Sequence, residues 1–257
     1  MQNATVLAPD PSFILYRVFS ELYHVNYVGV KLQDDFEINK VDFLMAIEQY
    51  QPAVIFISYP NNPTANLFDE DTILEILKNA PGIVVIDEAY YFFSNKTLIG
   101  LLSEFDNLVI IRSLSKVGFA GIRFGYLFAH KNLAKRINLA RPLFNMNSLT
   151  KYCADYAFAH YDQIIDLADL IAIERQRVFY GLKEIPKITV KQSKTNFIIF
   201  KSIDSHNNAW IKEQLFHDKI VVATSNLHSI NDSYLRITVG EKNNNHYFLE
   251  KLKNIMS

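Results

Sequence analysis

Ala53-Val54-Ile55-Phe56-Ile57-Ser58-Tyr59-Pro60-Asn61-Asn62-Pro63-Thr64 is the stretch on which the fold turns. Its first five residues are apolar at successive positions and rich in β-branched side chains, so the run predicts a strand covered on both faces. The Pro and Asn residues that follow stop it and predict a turn. Runs of the same kind at 5–8, 27–31, 83–86, 108–111 and 124–128 alternate with helical patterns near 13–23, 41–49 and 70–78. Strands buried on both faces and joined by helices define an α/β fold with a mostly parallel, doubly wound sheet. Such a sheet opens its ligand crevice at the C-terminal ends of its strands, which is where the Pro/Asn turn falls.

The pattern changes after residue 128. Helices are expected at 131–140 and 148–159, then a long one from 161 to 182 in which Ile164, Leu167, Ala168 and Ile171 share a face. Pro186 ends it. Strands at 188–190, 196–200 and 235–239, with helices at 208–217 and 246–256, make a compact C-terminal α+β unit. The expected division is a large domain at 1–160 and, at 161–257, an interdomain helix with a small domain.

Composition narrows the functional classes. A chain of 257 residues, 49% hydrophobic, can bury a substantial core. A net charge of −1 with both signs interspersed offers no basic face, so no nucleic-acid partner is expected and a small molecule is the default. The apolar runs are too short to span a bilayer, so no membrane partner is expected either. A single cysteine, Cys153, cannot form an internal disulfide, and the opening residues lack a secretory pattern; the expected setting is cytoplasmic. No metal is expected, because the seven histidines form no close-spaced ligand pair and Cys153 has no second cysteine.

Four segments could carry chemistry. The first is the turn Tyr59-Pro60-Asn61-Asn62-Pro63-Thr64. The second is Asp87-Glu88-Ala89-Tyr90, where an ionised aspartate ending an apolar strand needs a partner such as a protonated ring nitrogen. The third runs from Ser113-Leu114-Ser115-Lys116 to Gly121-Ile122-Arg123-Phe124-Gly125-Tyr126; hydroxyls, a lysine, glycines and an arginine suit a phosphate beside a reactive amine. The fourth is Tyr234-Leu235-Arg236-Ile237-Thr238-Val239-Gly240, in which a charged residue interrupts a strand and calls for an anion. Singly, each has a plain reading: a turn, a helix cap, a solvated lysine, an ion pair. Their order and placement together are far less easily accidental.

With these segments in place the sequence resembles the fold-type I aminotransferases, and among them the histidinol-phosphate branch, over essentially its whole length. YPNNPT is similar to that branch's N-P-N-N-P-T-G, DEAY to its D-E-A-Y, SLSK with GFAGIRFGY to its lysine loop, RPLFNMNS to its R-P-P-F-N-V-N-S, SKTNF to its S-x-A-N-F, and LRITVG to its C-terminal arginine strand. The resemblance implies pyridoxal 5′-phosphate as cofactor and Lys116 as the residue that carries it and moves the proton at the substrate carbon. It implies that Asp87 pairs with the pyridine nitrogen, that Asn62 and Tyr90 bond the phenolic oxygen, and that Ser113, Ser115 and Arg123 hold the phosphate. Phe13 matches the ring-stacking aromatic, or is plain core. Arg236 matches the receptor of the substrate's anionic group, and Asn145 and Asn196 match substrate-side positions. The implied reaction passes an amino group from a small amino donor, histidinol phosphate foremost, to 2-oxoglutarate, in a homodimer.

The sequence also departs from the pattern. The family's upstream helix and glycine-rich phosphate-binding turn have no counterpart before Thr5, which predicts cofactor binding weaker by about tenfold or more. Ala223 stands where the family usually has an arginine for the substrate phosphate, and Ala65 where it has a glycine. Two alternatives follow: an aminotransferase or decarboxylase for another small amine, and a shortened, inactive interaction protein.

Overall fold

The computed structural model describes residues 4–204, 207–225 and 234–256; His206 and His228 lie outside the described residues. The elements follow the alternating order expected: β1 (Thr5–Asp10), α1 (Leu15–Leu22), β2 (Asn26–Lys31), α2 (Lys40–Tyr50), β3 (Val54–Ser58), α3 (Glu70–Asn79), β4 (Ile83–Asp87), a single turn α4 (Tyr91–Ser94), β5 (Leu108–Ser113) and β6 (Gly125–Ala129). Then come α5 (Lys131–Leu139), α6 (Ser148–Ala159), α7 (Tyr161–Lys183), β7 (Ile188–Val190), β8 (Phe197–Ser202), α8 (Asn207–His217), β9 (Ala223–Ser225), β10 (Tyr234–Thr238) and α9 (Lys242–Met256). Helix starts follow ordinary capping chemistry: the side chains of Asn39, Asp69 and Asn147 accept from the first-turn amides of α2, α3 and α6.

The first sheet has the order β2-β1-β3-β4-β5-β6, with β6 antiparallel to β5 and all other pairs parallel. The chain moves outward from β1 to β2, then returns to place β3 on the other side of β1. This reversal opens the crevice between the C-terminal ends of β1 and β3. The second sheet, β7-β8-β10-β9, is antiparallel.

Two apolar cores accompany the two sheets. Ile55, Ile57, Val84, Ile86, Leu108 and Ile110 are sealed in the first, and Ile198, Phe200, Ile211 and Leu235 in the second. Helix α7 serves both, giving Ile164 and Ala168 to the first and Val178 and Leu182 to the second. One expectation fails here: Leu167 is 59% exposed. At about 100° per residue, positions 164, 168 and 171 form the stripe and 167 falls at its edge. Buried Arg175 ties α7 down by donating to the carbonyls of Phe93 (3.0 Å) and Thr195 (2.8 Å).

Candidate active site

The Pro/Asn turn after β3 divides its work between neighbouring asparagines. Asn61 is fully buried: its Oδ1 accepts from the Ser12 hydroxyl (2.9 Å) and its Nδ2 donates to the Pro11 carbonyl (3.0 Å), so it joins the ends of β1 and β3. Asn62 lies on a cavity wall and accepts from Arg236 Nη1 at 3.1 Å, a contact between residues 174 positions apart. Ala65, in the place of the family's glycine, has a left-handed backbone (φ 66) and is fully buried.

That cavity, of about 420 Å³, is lined by Phe13, Arg17, Asn62, Tyr90, Lys116 and Arg236 among others. Its volume falls in the range of roughly 300–1,000 Å³ usual for small-molecule sites. Lys116 ends the short turn Leu114–Lys116 after β5; Leu114 is fully buried, and the Ser113 hydroxyl accepts from the Ser115 amide (3.0 Å) and lies 2.8 Å from the Ser115 hydroxyl. The Lys116 ammonium is 5.4 Å from the centre of the Tyr90 ring. Burial, then the positive charge of Arg236, hold the Lys116 amine below its ordinary value, with Asp87 acting against them. Burial also pushes the Tyr90 phenol up to about 12, so it remains a donor at neutral pH.

Asp87 ends β4 and is 8% exposed. Its Oδ1 accepts from the Ala89 amide at 3.0 Å and its Oδ2 from the Tyr16 hydroxyl at 2.7 Å. Burial raises the carboxyl above its usual range, and both hydrogen bonds and Lys116 oppose that rise. Its neighbour Glu88 has a different task. It accepts from Arg112 Nε (2.9 Å) and from the Leu98 amide (2.8 Å), while the Arg112 guanidinium sits 3.6 Å from the Tyr91 ring centre. This sealed network fixes the ends of β4 and β5 against each other.

Arg236 sits on β10 in register with Ala223 of β9, so the residue where an arginine is usual lies directly across from it. Its guanidinium is 4.9 Å from the Phe197 ring centre, and Phe197 meets Tyr90 edge to face at 5.4 Å. The second sheet thus meets the strand ends of the first through Arg236 and Phe197, with Thr224 of β9 also on the cavity wall.

Not every candidate joins this cavity. Arg123 and Asn145 line a second one, of about 1160 Å³, beside β6 and α5; Arg123 is exposed with a left-handed backbone (φ 53), though its charge still reaches Lys116. Asn196 does not line the first cavity either; its carbonyl accepts from the Val239 amide at 2.9 Å, tying together the ends of β8 and β10. Three residues near the site were not anticipated: Tyr16, Arg112 and Arg17, the last facing the cavity and 3.5 Å from Asp10. Arg112 had a signal, since it interrupts the apolar run of β5 as Arg236 interrupts β10.

A lysine with a depressed amine, a buried carboxylate and a ring-sized cavity bounded by donors and an aromatic are the equipment of an enzyme that handles a carbonyl cofactor through a lysine. The residues fit pyridoxal phosphate: Lys116 for its aldehyde, Asp87 for its basic ring nitrogen, Asn62 and Tyr90 for its phenolic oxygen, Phe13 for its ring face.

Comparison with known proteins agrees. The profile of the family Aminotransferase class I and II matches residues 1–252. The histidinol-phosphate aminotransferase 2 of Nitrosococcus oceani is 35% identical over 249 residues, which cover 97% of this chain and 69% of that protein. The crystal structure of the histidinol-phosphate aminotransferase from Clostridium acetobutylicum superposes with a TM-score of 0.90 at 25% identity, covering 99% of this chain and 78% of the other. A decarboxylase from Sulfurospirillum multivorans shares the fold at a TM-score of 0.85 and 23% identity, covering 100% of this chain and 77% of its own. The chain belongs to the class I and II aminotransferases, pyridoxal-phosphate-dependent enzymes that pass an amino group from an amino donor to a 2-oxo acid.

Proposed function

We propose that this chain transaminates histidinol phosphate with 2-oxoglutarate, a step of histidine biosynthesis. The observation that carries the reading is the convergence of Lys116, Asn62, Tyr90 and Arg236 on one cavity in a chain 35% identical to a histidinol-phosphate aminotransferase. Bound pyridoxal phosphate supplies an electrophilic carbon for the amine and a ring that withdraws electrons from the substrate carbon. The protein does the rest. Neutral Lys116 takes a proton from the substrate carbon and returns it at Nζ, a task its depressed basicity suits. Asp87 holds the proton on the ring nitrogen, Asn62 and Tyr90 orient the phenolic oxygen, and Phe13 covers the ring. Ser113, Ser115 and Arg123 are the phosphate ligands in this reading. Arg236 receives the anionic group of each substrate in turn through its guanidinium fork.

With Ala223 opposite Arg236, the phosphate of the amino donor needs another cation, and Arg17 is the further guanidinium on the cavity wall. Asn145 and Asn196 match substrate-side positions by the resemblance alone, since neither lines the strand-end cavity. Residues 1–160 form the cofactor-binding domain, and 161–257 the interdomain helix with the small domain, consistent with the two cores. Among the described residues no helix is long and apolar enough to cross a membrane, and the chain is read as cytoplasmic. A homodimer is supported by exposed apolar side chains such as Leu139, Leu143, Phe144 and Leu149; sedimentation at high concentration should give twice the chain mass, and monomer alone would refute it. The function is tested by product analysis: histidinol phosphate with 2-oxoglutarate should yield glutamate, whereas a decarboxylated amine as the sole product would sink the transaminase reading.

A further inference from the structure

Tyr16 is not part of the cofactor set derived so far, yet it makes the shortest side-chain hydrogen bond to the carboxylate at its centre. The ring is buried and stacked on Phe56, with centroids 4.5 Å apart and planes within 12° of parallel, so the phenol is held in place by packing. Its hydroxyl donates to Asp87 Oδ2 at 2.7 Å while the Ala89 amide fills Oδ1. A carboxylate has about four acceptor positions, so these two bonds fix its orientation and leave lone pairs for a third donor. Phe13, on the cavity wall, meets the Tyr16 ring edge-on at 5.5 Å, which places the cofactor-facing aromatic and the carboxylate's donor on one short stretch before and within α1.

We propose that Tyr16 is a positioning residue: its hydroxyl orients Asp87, keeps it ionised in its buried setting, and aims its remaining lone pairs at the cofactor's ring nitrogen. The inference rests on the reading of Asp87 as the partner of that nitrogen. Burial, then the charge of Asp87, push the Tyr16 phenol well above its ordinary range, so Tyr16 remains the donor and Asp87 the acceptor at working pH.

The test uses Tyr16→Phe, which removes one oxygen and keeps the ring and its stack. Dissociation constants are measured for pyridoxal 5′-phosphate and for its 1-deaza analogue, in which C–H replaces the ring nitrogen. In the wild type, pyridoxal phosphate should bind the tighter of the two. Tyr16→Phe should weaken pyridoxal phosphate by about tenfold, the worth of a hydrogen bond to a charged group, and the deaza analogue by less than about twofold. Asp87→Asn approaches the coupling from the other side: in that background, exchanging Tyr16 for Phe should change neither constant. Equal weakening of both ligands would mark Tyr16 as packing only and overturn the proposal, as would no weakening of either. A wild type that binds both ligands equally well would refute the reading of Asp87 itself, and the inference with it.

Discussion

The cavity at the strand ends and the larger one beside β6 differ in what holds their walls. The first is set on β3, β4 and β5, whose inner residues are sealed, and the polar groups on it and beside it are restrained by partners: Asn62 by Arg236, Lys116 by the Ser113 turn and, beside the wall, Asp87 by Tyr16 and Ala89. The second has β5 and β6 on one side, but its other wall is α5 and the stretch after it, where Phe144 is 98% exposed and Leu143 88%. A buried strand end fixes a side chain to a few tenths of an ångström because the surrounding core permits no other packing. An exposed stretch imposes no such constraint. The first region is therefore the one suited to hold reacting groups in fixed positions; the second is the one in which the proposed phosphate contact of Arg123 and the proposed dimer contacts fall.

Substitutions put this contrast at risk, and their expected effects fall in order. Lys116→Ala should abolish covalent capture of the cofactor and lower turnover by at least the 10²–10⁴-fold that a positioned acid–base group contributes; intact mass after borohydride reduction and steady-state assay check both. Asp87→Asn should cost on the order of a hundredfold in kcat with a smaller loss of cofactor affinity, as the removal of an electrostatic stabiliser predicts. Equal losses in both would mean that the carboxylate only builds the site. Arg236→Gln should raise the KM of the 2-oxo acid by about tenfold or more.

The same substitution has a pH signature. Arg236 helps hold the Lys116 amine down, so losing that cation should move the inflection for cofactor capture upward, toward the free-lysine value near 10.4. Asp87 holds it up, so Asp87→Asn should move the inflection downward. Shifts in the opposite senses would contradict the electrostatics of the site. In the second region, Arg123→Ala should weaken the cofactor by about tenfold while leaving kcat nearly unchanged. Leu143→Ala, at the smallest end, should alter folding stability by less than about 0.5 kcal/mol in a denaturant titration.

The sequence speaks clearly wherever burial dictates residue type. All the sheet strands but β9, and helix α6, could be read from apolar runs and their spacing, and the family resemblance that the motifs carry singled out the lysine and the strand arginine that the structure brings to one cavity, with the aspartate at the end of β4. It speaks poorly where a polar contact joins distant segments. Tyr16 reads as one more apolar position of α1, because a phenol's partner 71 residues away leaves no local trace. Asn61 and Asn62 are equivalent in the sequence and differ only in which side of the turn each faces. The first turn of α9, Lys242–Asn245, was hidden by asparagines of low helix propensity; the structure uses Asn245 to bond both the amide and the carbonyl of Gly240. Strand β9 is three residues at a sheet edge, too short for an alternating pattern to declare itself.

The central claim is that the strand-end cavity is a pyridoxal phosphate site closed by Lys116. Its most direct test is the visible absorption of the purified chain with added pyridoxal phosphate, in the wild type and in Lys116→Ala, followed by borohydride reduction and intact mass. A new visible band and a covalent adduct in the wild type, both lost with Lys116→Ala, are the predicted result. A folded wild-type chain that gives neither band nor adduct would contradict the account.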